Sequence, residues 1–392
     1  MTVLYISDFD LRGSGYMNIG VGLCSELSKN YEVIALGIGY NRQEHNYQFK
    51  IVPAQISEIK PMIDQLANKY NIKAIIVSLD IPLQERLLAQ LDAPNNIPYI
   101  GIFPLEAGPV CGPWAVSLLR MDKRLIMSQF GKAELEAVGV ESEFIPVGFD
   151  KDAWRAPSTE ERAMIRQGLG VDQNTQVILT VADNQERKNL SRAIEIFADY
   201  VYGFEVERGQ TFTKEQKAAR KNAIYWLVTR PTSPVGWKLE DLAQDYGVLD
   251  RLQIWERGIS FKQLWSLYAG ADVFLLTSKA EGLAMPVLEA MSCRLPVIGT
   301  DCTAIAEHIA DDRGLGITPD YVMIDPWGNS NRYFAGRADG VYKLQLYFTG
   351  MQDLDRVQMV NKAQEYANRL DWKTAGDVVI NAIEKAKESK GA

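Results

Sequence analysis

The sequence predicts an α/β protein built from two Rossmann-like domains, each a parallel sheet covered by helices. Short apolar runs alternate with helical segments from the first residue onward, which is the pattern of βαβ units. The alternation breaks once, at the polar stretch Asp150-Lys-Asp-Ala-Trp-Arg-Ala-Pro-Ser158, and then restarts. A chain of 392 residues also exceeds the size at which a single core keeps growing.

In the first series the apolar runs at 3–7, 32–36, 74–78 and 99–103 read as strands, with helices at 20–29, 56–70 and 82–91 between them. Helices at 112–120 and 131–138 and strands at 124–128 and 144–146 extend the pattern to Gly148. The second series opens with Gln176-Val-Ile-Leu-Thr-Val181. Helices at 189–202, 238–245, 261–269 and 286–293 then alternate with strands at 223–228, 251–255, 272–276 and 296–298. The domains predicted are 1–148, completed by a terminal helix over 371–392, and 149–370. Ligands in such sheets bind beyond the carboxyl ends of the strands, so the expected active site is a cleft between two facing domains. Residues 205–221 read as a charged, solvated helical excursion, and 324–337 as a long loop rich in aromatic residues and Asn.

Composition narrows the function. Hydrophobic residues make up 47% and charged residues 23%, as in folded globular proteins. The net charge of −8 divides evenly, −4 for residues 1–148 and −4 for the rest, so neither domain has the basic excess that duplex nucleic acid attracts. Cys24, Cys111, Cys293 and Cys302 form no C-x-x-C pair, which points to reduced thiols and a cytoplasmic location. With only His45 and His308 there is no His/Cys zinc set, and a metal-independent site is expected. The N-terminus lacks a basic start and runs straight into a strand, and the longest nearly uncharged run, 93–119, holds Glu106 and five prolines. Neither a signal peptide nor a transmembrane helix is expected.

The most informative stretch is Glu281-Gly-Leu-Ala-Met-Pro-Val-Leu-Glu289-Ala-Met. It follows a buried strand, and Pro286 marks the first residue of a helix. One carboxylate then falls in the loop and the other in the first turn. The amides of Gly282, Leu283, Ala284 and Met285 lie at the positive helix end, suited to phosphate or to sugar hydroxyls. Glu281 and Glu289 can each accept hydroxyl hydrogen bonds from a polyol. Phosphate with polyol points to a nucleotide sugar.

This stretch, with its flanks Tyr268-Ala-Gly-Ala-Asp272-Val-Phe-Leu-Leu-Thr-Ser278 and Ala290-Met-Ser-Cys-Arg-Leu-Pro-Val-Ile-Gly-Thr300, resembles the E-x7-E signature of retaining glycosyltransferases with the GT-B fold. The likeness extends over nearly the whole chain. It implies that Glu281 contacts the transferred sugar and Glu289 holds the nucleotide ribose. It also implies that the turn Thr180-Val-Ala-Asp-Asn-Gln-Glu-Arg187-Lys188 neutralises the donor diphosphate with an Arg and a Lys. Lys188 matches the Lys. The family's Arg falls at Asp183, and Arg187 is the candidate substitute. The Gly-rich segment Arg12-Gly13-Ser-Gly15-Tyr16 follows the first strand and, by resemblance, lies against the donor, although Asn18 stands where a dinucleotide fingerprint would need its third glycine. Asp80 and Glu106 follow strands of the first domain and are acceptor-side candidates; the His that many relatives carry near Glu106 is missing. His308 reads as structural.

The resemblance implies transfer of a sugar from a UDP- or GDP-linked donor to an acceptor hydroxyl with retention, by front-face attack through an oxocarbenium-like state. Two rivals stay open: a nucleotide-sugar epimerase on a similar scaffold, and a GT-B binding subunit without chemistry. Polysaccharide, lipid, protein, small-molecule and modified nucleic acid acceptors all remain possible.

Overall fold

The structure, a computed structural model, describes residues 1–10, 15–91, 97–203, 213–326 and 328–390. The expectations for Gly13 and for residues 205–212 lie outside the described residues. The chain divides into an N-terminal unit of Met1–Asp150, Asp325–Ser330 and Leu370–Ala392 and a C-terminal unit of Lys151–Ile324 and Asn331–Arg369.

The N-terminal unit runs β1 (Thr2–Asp8), α1 (Gly15–Leu27), β2 (Glu32–Ile38), β3 (Lys50–Ala54), α2 (Ile59–Lys69), β4 (Ile72–Ser78), α3 (Ile81–Gln90), β5 (Tyr99–Phe103), α4 (Gly112–Leu119), β6 (Lys123–Ile126), α5 (Gln129–Ala137) and β7 (Glu143–Phe144). Its seven strands lie in the order β3-β2-β1-β4-β5-β6-β7, with parallel pairing throughout. Val3, Leu4, Tyr5 and Ile6 are wholly buried, the continuous apolar run expected of a strand covered on both faces. The order reverses between β1 and β4, so the loops after these strands diverge and leave a crevice at their carboxyl ends. Gly15 is the first residue of α1, which begins five residues earlier than the Gly20 start that its apolar pattern indicates.

The C-terminal unit runs α6 (Thr159–Gly168), β8 (Val177–Val181), α7 (Leu190–Tyr202), α8 (Lys214–Lys221), β9 (Ile224–Thr229), α9 (Leu239–Asp245), β10 (Leu252–Glu256), α10 (Phe261–Gly270), β11 (Val273–Leu276), α11 (Met285–Ser292), β12 (Val297–Thr300), α12 (Thr303–Ile309), β13 (Leu315–Ile317), β14 (Pro319–Asp325), β15 (Ser330–Ala335), α13 (Arg337–Gln345) and α14 (Asp353–Asn368). Six strands form a parallel sheet in the order β10-β9-β8-β11-β12-β13, reversing between β8 and β11. Helix α6 is fastened by a capping box, Ser158 with Glu161, at the end of the stretch read as a linker. Its Arg162 and Arg166 both reach Asp272 at the entry to β11.

The segment 324–337 is not one long loop. β14 and β15 form a two-stranded sheet, which the sequence hides because Tyr321, Val322, Met323 and Ile324 are all exposed and no alternation marks the strand. The Tyr333 amide donates to the Lys279 carbonyl at 2.9 Å and the Lys279 ammonium lies 4.2 Å from the Phe334 ring, which sets β15 beside the loop leaving β11.

The last helix, α15 (Trp372–Lys390), returns to the N-terminal unit. A Cβ on Gly22 would fall 2.3 Å from the Trp372 ring, so only glycine lets α1 and α15 approach this closely. Tyr31 donates to Glu384 at 2.8 Å, and Lys390 pairs with Asp122 at 2.8 Å.

Candidate active site

Strand β11 runs into Thr277-Ser278-Lys279-Ala280, all buried, and delivers Glu281 at the carboxyl edge of the sheet. The backbone of this loop is fixed on several sides. The Lys279 amide donates to the Arg187 carbonyl at 2.9 Å, the Glu281 amide to Thr303 Oγ1 at 2.9 Å, and the Ala304 amide to the Glu281 carbonyl at 3.2 Å. Ala284 takes a left-handed conformation, φ 56°, and caps α11, which starts at Met285. Pro286 is therefore the second helical residue and not the first; its missing N–H still costs nothing, being among the four that have no intrahelical acceptor.

Two cations converge on Glu281. Lys188 Nζ lies 2.5 Å from Oε1, and Arg187 Nη1 lies 3.0 Å from Oε2 while also donating to the Ala280 carbonyl at 2.6 Å. Burial pushes the Glu281 carboxyl up, but Lys188 and Arg187 overcome this and hold it at about 2. Glu281 is therefore a buried, ionised acceptor with one net positive charge left on the trio. Sequence spacing alone does not reveal this pairing.

Glu289 is the fifth residue of α11, one residue deeper than expected and so past the first turn, which holds no acidic residue. Its carboxylate accepts the Tyr268 hydroxyl at 2.9 Å. Burial raises its carboxyl to about 7, against the opposing effect of the Tyr268 bond. The helix dipole, whose influence fades within the first turn, is thus not what governs Glu289.

The turn after β8 carries Asp183, Arg187 and Lys188, the last two on a 3₁₀ turn over Glu186–Lys188. Arg187 points to Glu281 and Ala280. Asp183 instead gathers two arginines that sequence reasoning missed: Arg230 donates from Nε to Oδ1 and from Nη2 to Oδ2, each at 2.6 Å, and Arg257 Nη1 lies 3.3 Å from Oδ2. Arg230 follows β9 and Arg257 follows β10, so three neighbouring strand ends meet there.

In the N-terminal unit, Asp80 follows β4 and accepts the Tyr16 hydroxyl at 2.5 Å. Glu106 lies half-buried in the loop after β5. All four cysteines are free.

His308 has a positional task. Its Nε2 lies 2.5 Å from the Leu283 carbonyl and its Nδ1 lies 3.0 Å from the Tyr366 hydroxyl. A carbonyl only accepts, so Nε2 carries the proton and Nδ1 accepts from Tyr366. Burial lowers its pKa to about 4. Between pH 6.5 and 4 the unfolded chain therefore binds the proton that the folded chain refuses, and stability falls as pH falls through this window. Glu289 acts oppositely between pH 4.5 and 7, where the folded form binds more protons. His308→Gln is expected to remove the loss of stability on acidification below pH 6.5, worth about 3 kcal/mol at full protonation. Urea melts at pH 7.5, 6, 5 and 4.5 check this: parallel curves for wild type and variant refute it.

Residues 234–321 match the model of the family described as glycosyl transferases group 1, a span that holds Glu281, Glu289, Arg257 and His308. The D-inositol 3-phosphate glycosyltransferase of Gordonia bronchialis is 21% identical over 236 residues, 59% of this chain. The match spans 45% of that relative, less than half its length. Among solved structures, sucrose-phosphate synthase from Thermosynechococcus elongatus superposes with a TM-score of 0.75 at 15% identity, over 99% of this chain and 100% of the other. Anabaena HepE in complex with UDP-glucose gives 0.73 at 14% identity, over 98% and 100%. The fold is GT-B, and the likeness to the group 1 glycosyltransferases lies in residues 234–321.

Proposed function

We propose that this protein transfers a sugar from a UDP- or GDP-linked donor to an acceptor hydroxyl, with retention of anomeric configuration and without a metal ion. The observation that carries this reading is the Glu281 carboxylate, buried yet ionised between Lys188 and Arg187 beside the start of α11. A diphosphate placed against Lys188 and the amides of Gly282 to Met285 meets fixed positive charge, and that charge gains strength as the leaving group develops its own. Glu281 then faces the sugar, accepting hydroxyl hydrogen bonds and opposing the cationic character that grows on the ring. Glu289, as carboxylate, accepts the ribose hydroxyls. The complex of HepE with UDP-glucose is consistent with a nucleotide sugar on this fold. Retention and front-face attack rest on the likeness to the E-x7-E enzymes.

Asp80 and Glu106 are assigned to the acceptor side, and Gly15 to the donor. A cytoplasmic site of action fits the free cysteines. Among the described residues no helix is long and apolar enough to cross a membrane.

The test is release of free nucleoside diphosphate from UDP-glucose, UDP-galactose and GDP-mannose, with and without EDTA. At least one donor is expected to be hydrolysed slowly without acceptor, EDTA leaving the rate unchanged. A ligand at ~100 times its Kd also stabilises by about 2.7 kcal/mol, which a thermal shift detects. Conversion of the sugar nucleotide to its epimer without diphosphate release overturns the transferase reading, and binding with neither reaction favours a non-catalytic subunit.

A further inference from the structure

The cluster around Asp183 has no part in the chemistry above, yet it is built with care at the edge where that chemistry lies. Asp183 is 12% exposed, and burial alone pushes its carboxyl up; the Arg230 fork and Arg257 outweigh this and hold it below the usual carboxylate range. An ordinary surface ion pair leaves both partners in water and orders neither. Here one carboxylate has been withdrawn from water to align two arginines that arrive from separate strands. The trio keeps one net positive charge, and its arginines remain accessible, Arg230 at 44% and Arg257 at 29%.

The geometry also gives Arg230 a direction. Its Nε and Nη2 are spent on Asp183, so its plane is fixed and Nη1 is turned away from that carboxylate. A guanidinium held this way loses little freedom when it binds an anion. The lining of a cavity of about 260 Å³ begins two residues beyond it, formed by Thr232, Ser233, Pro234, Trp237 and Lys238. The Trp237 backbone is tied to the Asn184 side chain by two bonds of 2.8 Å, which joins this loop to the turn that carries Lys188.

We infer that Arg230, aligned by Asp183 and seconded by Arg257, binds a phosphate of the nucleoside diphosphate. Arg187 faces Glu281 and the Ala280 carbonyl, and the charge that this inference adds beside it is that of Arg230. The inference rests on the proposed function for the identity of the ligand. Asp183 is a positioning residue: it touches no ligand and acts by orienting Arg230.

Calorimetry on the full chain with UDP, UMP and uridine, and with GDP, GMP and guanosine, tests it. Arg230→Ala is expected to weaken the preferred nucleoside diphosphate by about 10-fold or more while leaving the nucleoside unchanged, an effect that shrinks at high salt. Asp183→Asn keeps the arginine but frees it, and should cost about 3-fold to 10-fold with the same phosphate dependence. Arg337→Ala breaks a fork of like geometry with Asp199 and serves as the control, with affinities unchanged. If Arg230→Ala unfolds, Arg230→Gln keeps the side chain's bulk and carries the test. Equal losses for diphosphate and nucleoside, or no loss at all, overturn this inference and leave the transferase reading standing. Wild-type protein that binds neither UDP nor GDP overturns both.

Discussion

Replacing Lys188 by alanine is expected to lower turnover by about 2–4 kcal/mol of transition-state stabilisation, or roughly one and a half to three powers of ten. The reason lies in what Lys188 faces. Its ammonium sits 2.5 Å from Glu281 Oε1, so in the ligand-free protein its charge is matched by a carboxylate that Arg187 also contacts. In the proposed function an arriving diphosphate adds negative charge to that arrangement, and the demand for Lys188 grows as the glycosidic bond breaks. The loss should therefore fall on kcat more than on the affinity for the sugar nucleotide. Removing Lys188 also leaves Glu281 with Arg187 as its remaining cation of the pair, so the Glu281 carboxyl should rise from about 2 toward the ordinary range. The acid limb of the pH–rate profile should move upward with it. Arg187→Ala is expected to damage the 278–281 loop as well, since Arg187 bonds the Ala280 carbonyl; its thermal unfolding should drop where that of Lys188→Ala changes less. Steady-state rates with melting curves for both variants provide the check. Full activity in Lys188→Ala refutes the diphosphate role.

What the sequence disclosed is local in origin. The strand 272–276, Gly282 and Pro286 are consecutive signals of strand, turn and helix, so the loop that carries Glu281 is legible without tertiary information. The βαβ alternation is legible for the same reason, because strands buried on both faces read as unbroken apolar runs. The depth of Glu289 in α11 was misjudged by one residue, enough to carry it past the first turn, since the left-handed Ala284 starts the helix at Met285 and alanine gives no warning of that conformation. β14 was missed because its exposed Val322, Met323 and Ile324 show no alternation. The Asp183 cluster was out of reach in a different way. Arg230 is separated from Asp183 by 47 residues, and only the adjacency of β8 and β9 brings them together. Spacing along one segment identifies Lys188 as a cation, but it does not show that Arg187 turns to Glu281 while Arg230 turns to Asp183.

Glu281 and Glu289, joined by one motif, should separate cleanly when pH and nucleotide binding are measured together. Glu289 is buried against Tyr268 with its carboxyl raised to about 7, so near neutral pH about half of the free protein carries it protonated. Only the carboxylate accepts two ribose hydroxyls. Nucleotide binding should therefore expel a proton below pH 7, the apparent Kd rising up to tenfold per pH unit on acidification and flattening above pH 7. Glu289→Gln should weaken free nucleoside diphosphate and nucleotide sugar alike and should erase that pH dependence. It should also make the ligand-free protein more stable above pH 7, where the wild type holds a buried charge. Glu281 is ionised across this whole range, and the proposed function turns it to the sugar and not to the ribose. Glu281→Gln should leave the affinity for free nucleoside diphosphate nearly unchanged while cutting turnover sharply, because a carboxylate beside a developing cation acts mostly in the transition state. Calorimetry between pH 5.5 and 8.5, repeated in buffers of different ionisation enthalpy to count the proton, measures the first set of effects and steady-state rates the second. A nucleotide affinity in wild type that is flat across pH 7, or one that is abolished in Glu281→Gln, sinks the assignment of ribose to Glu289 and sugar to Glu281.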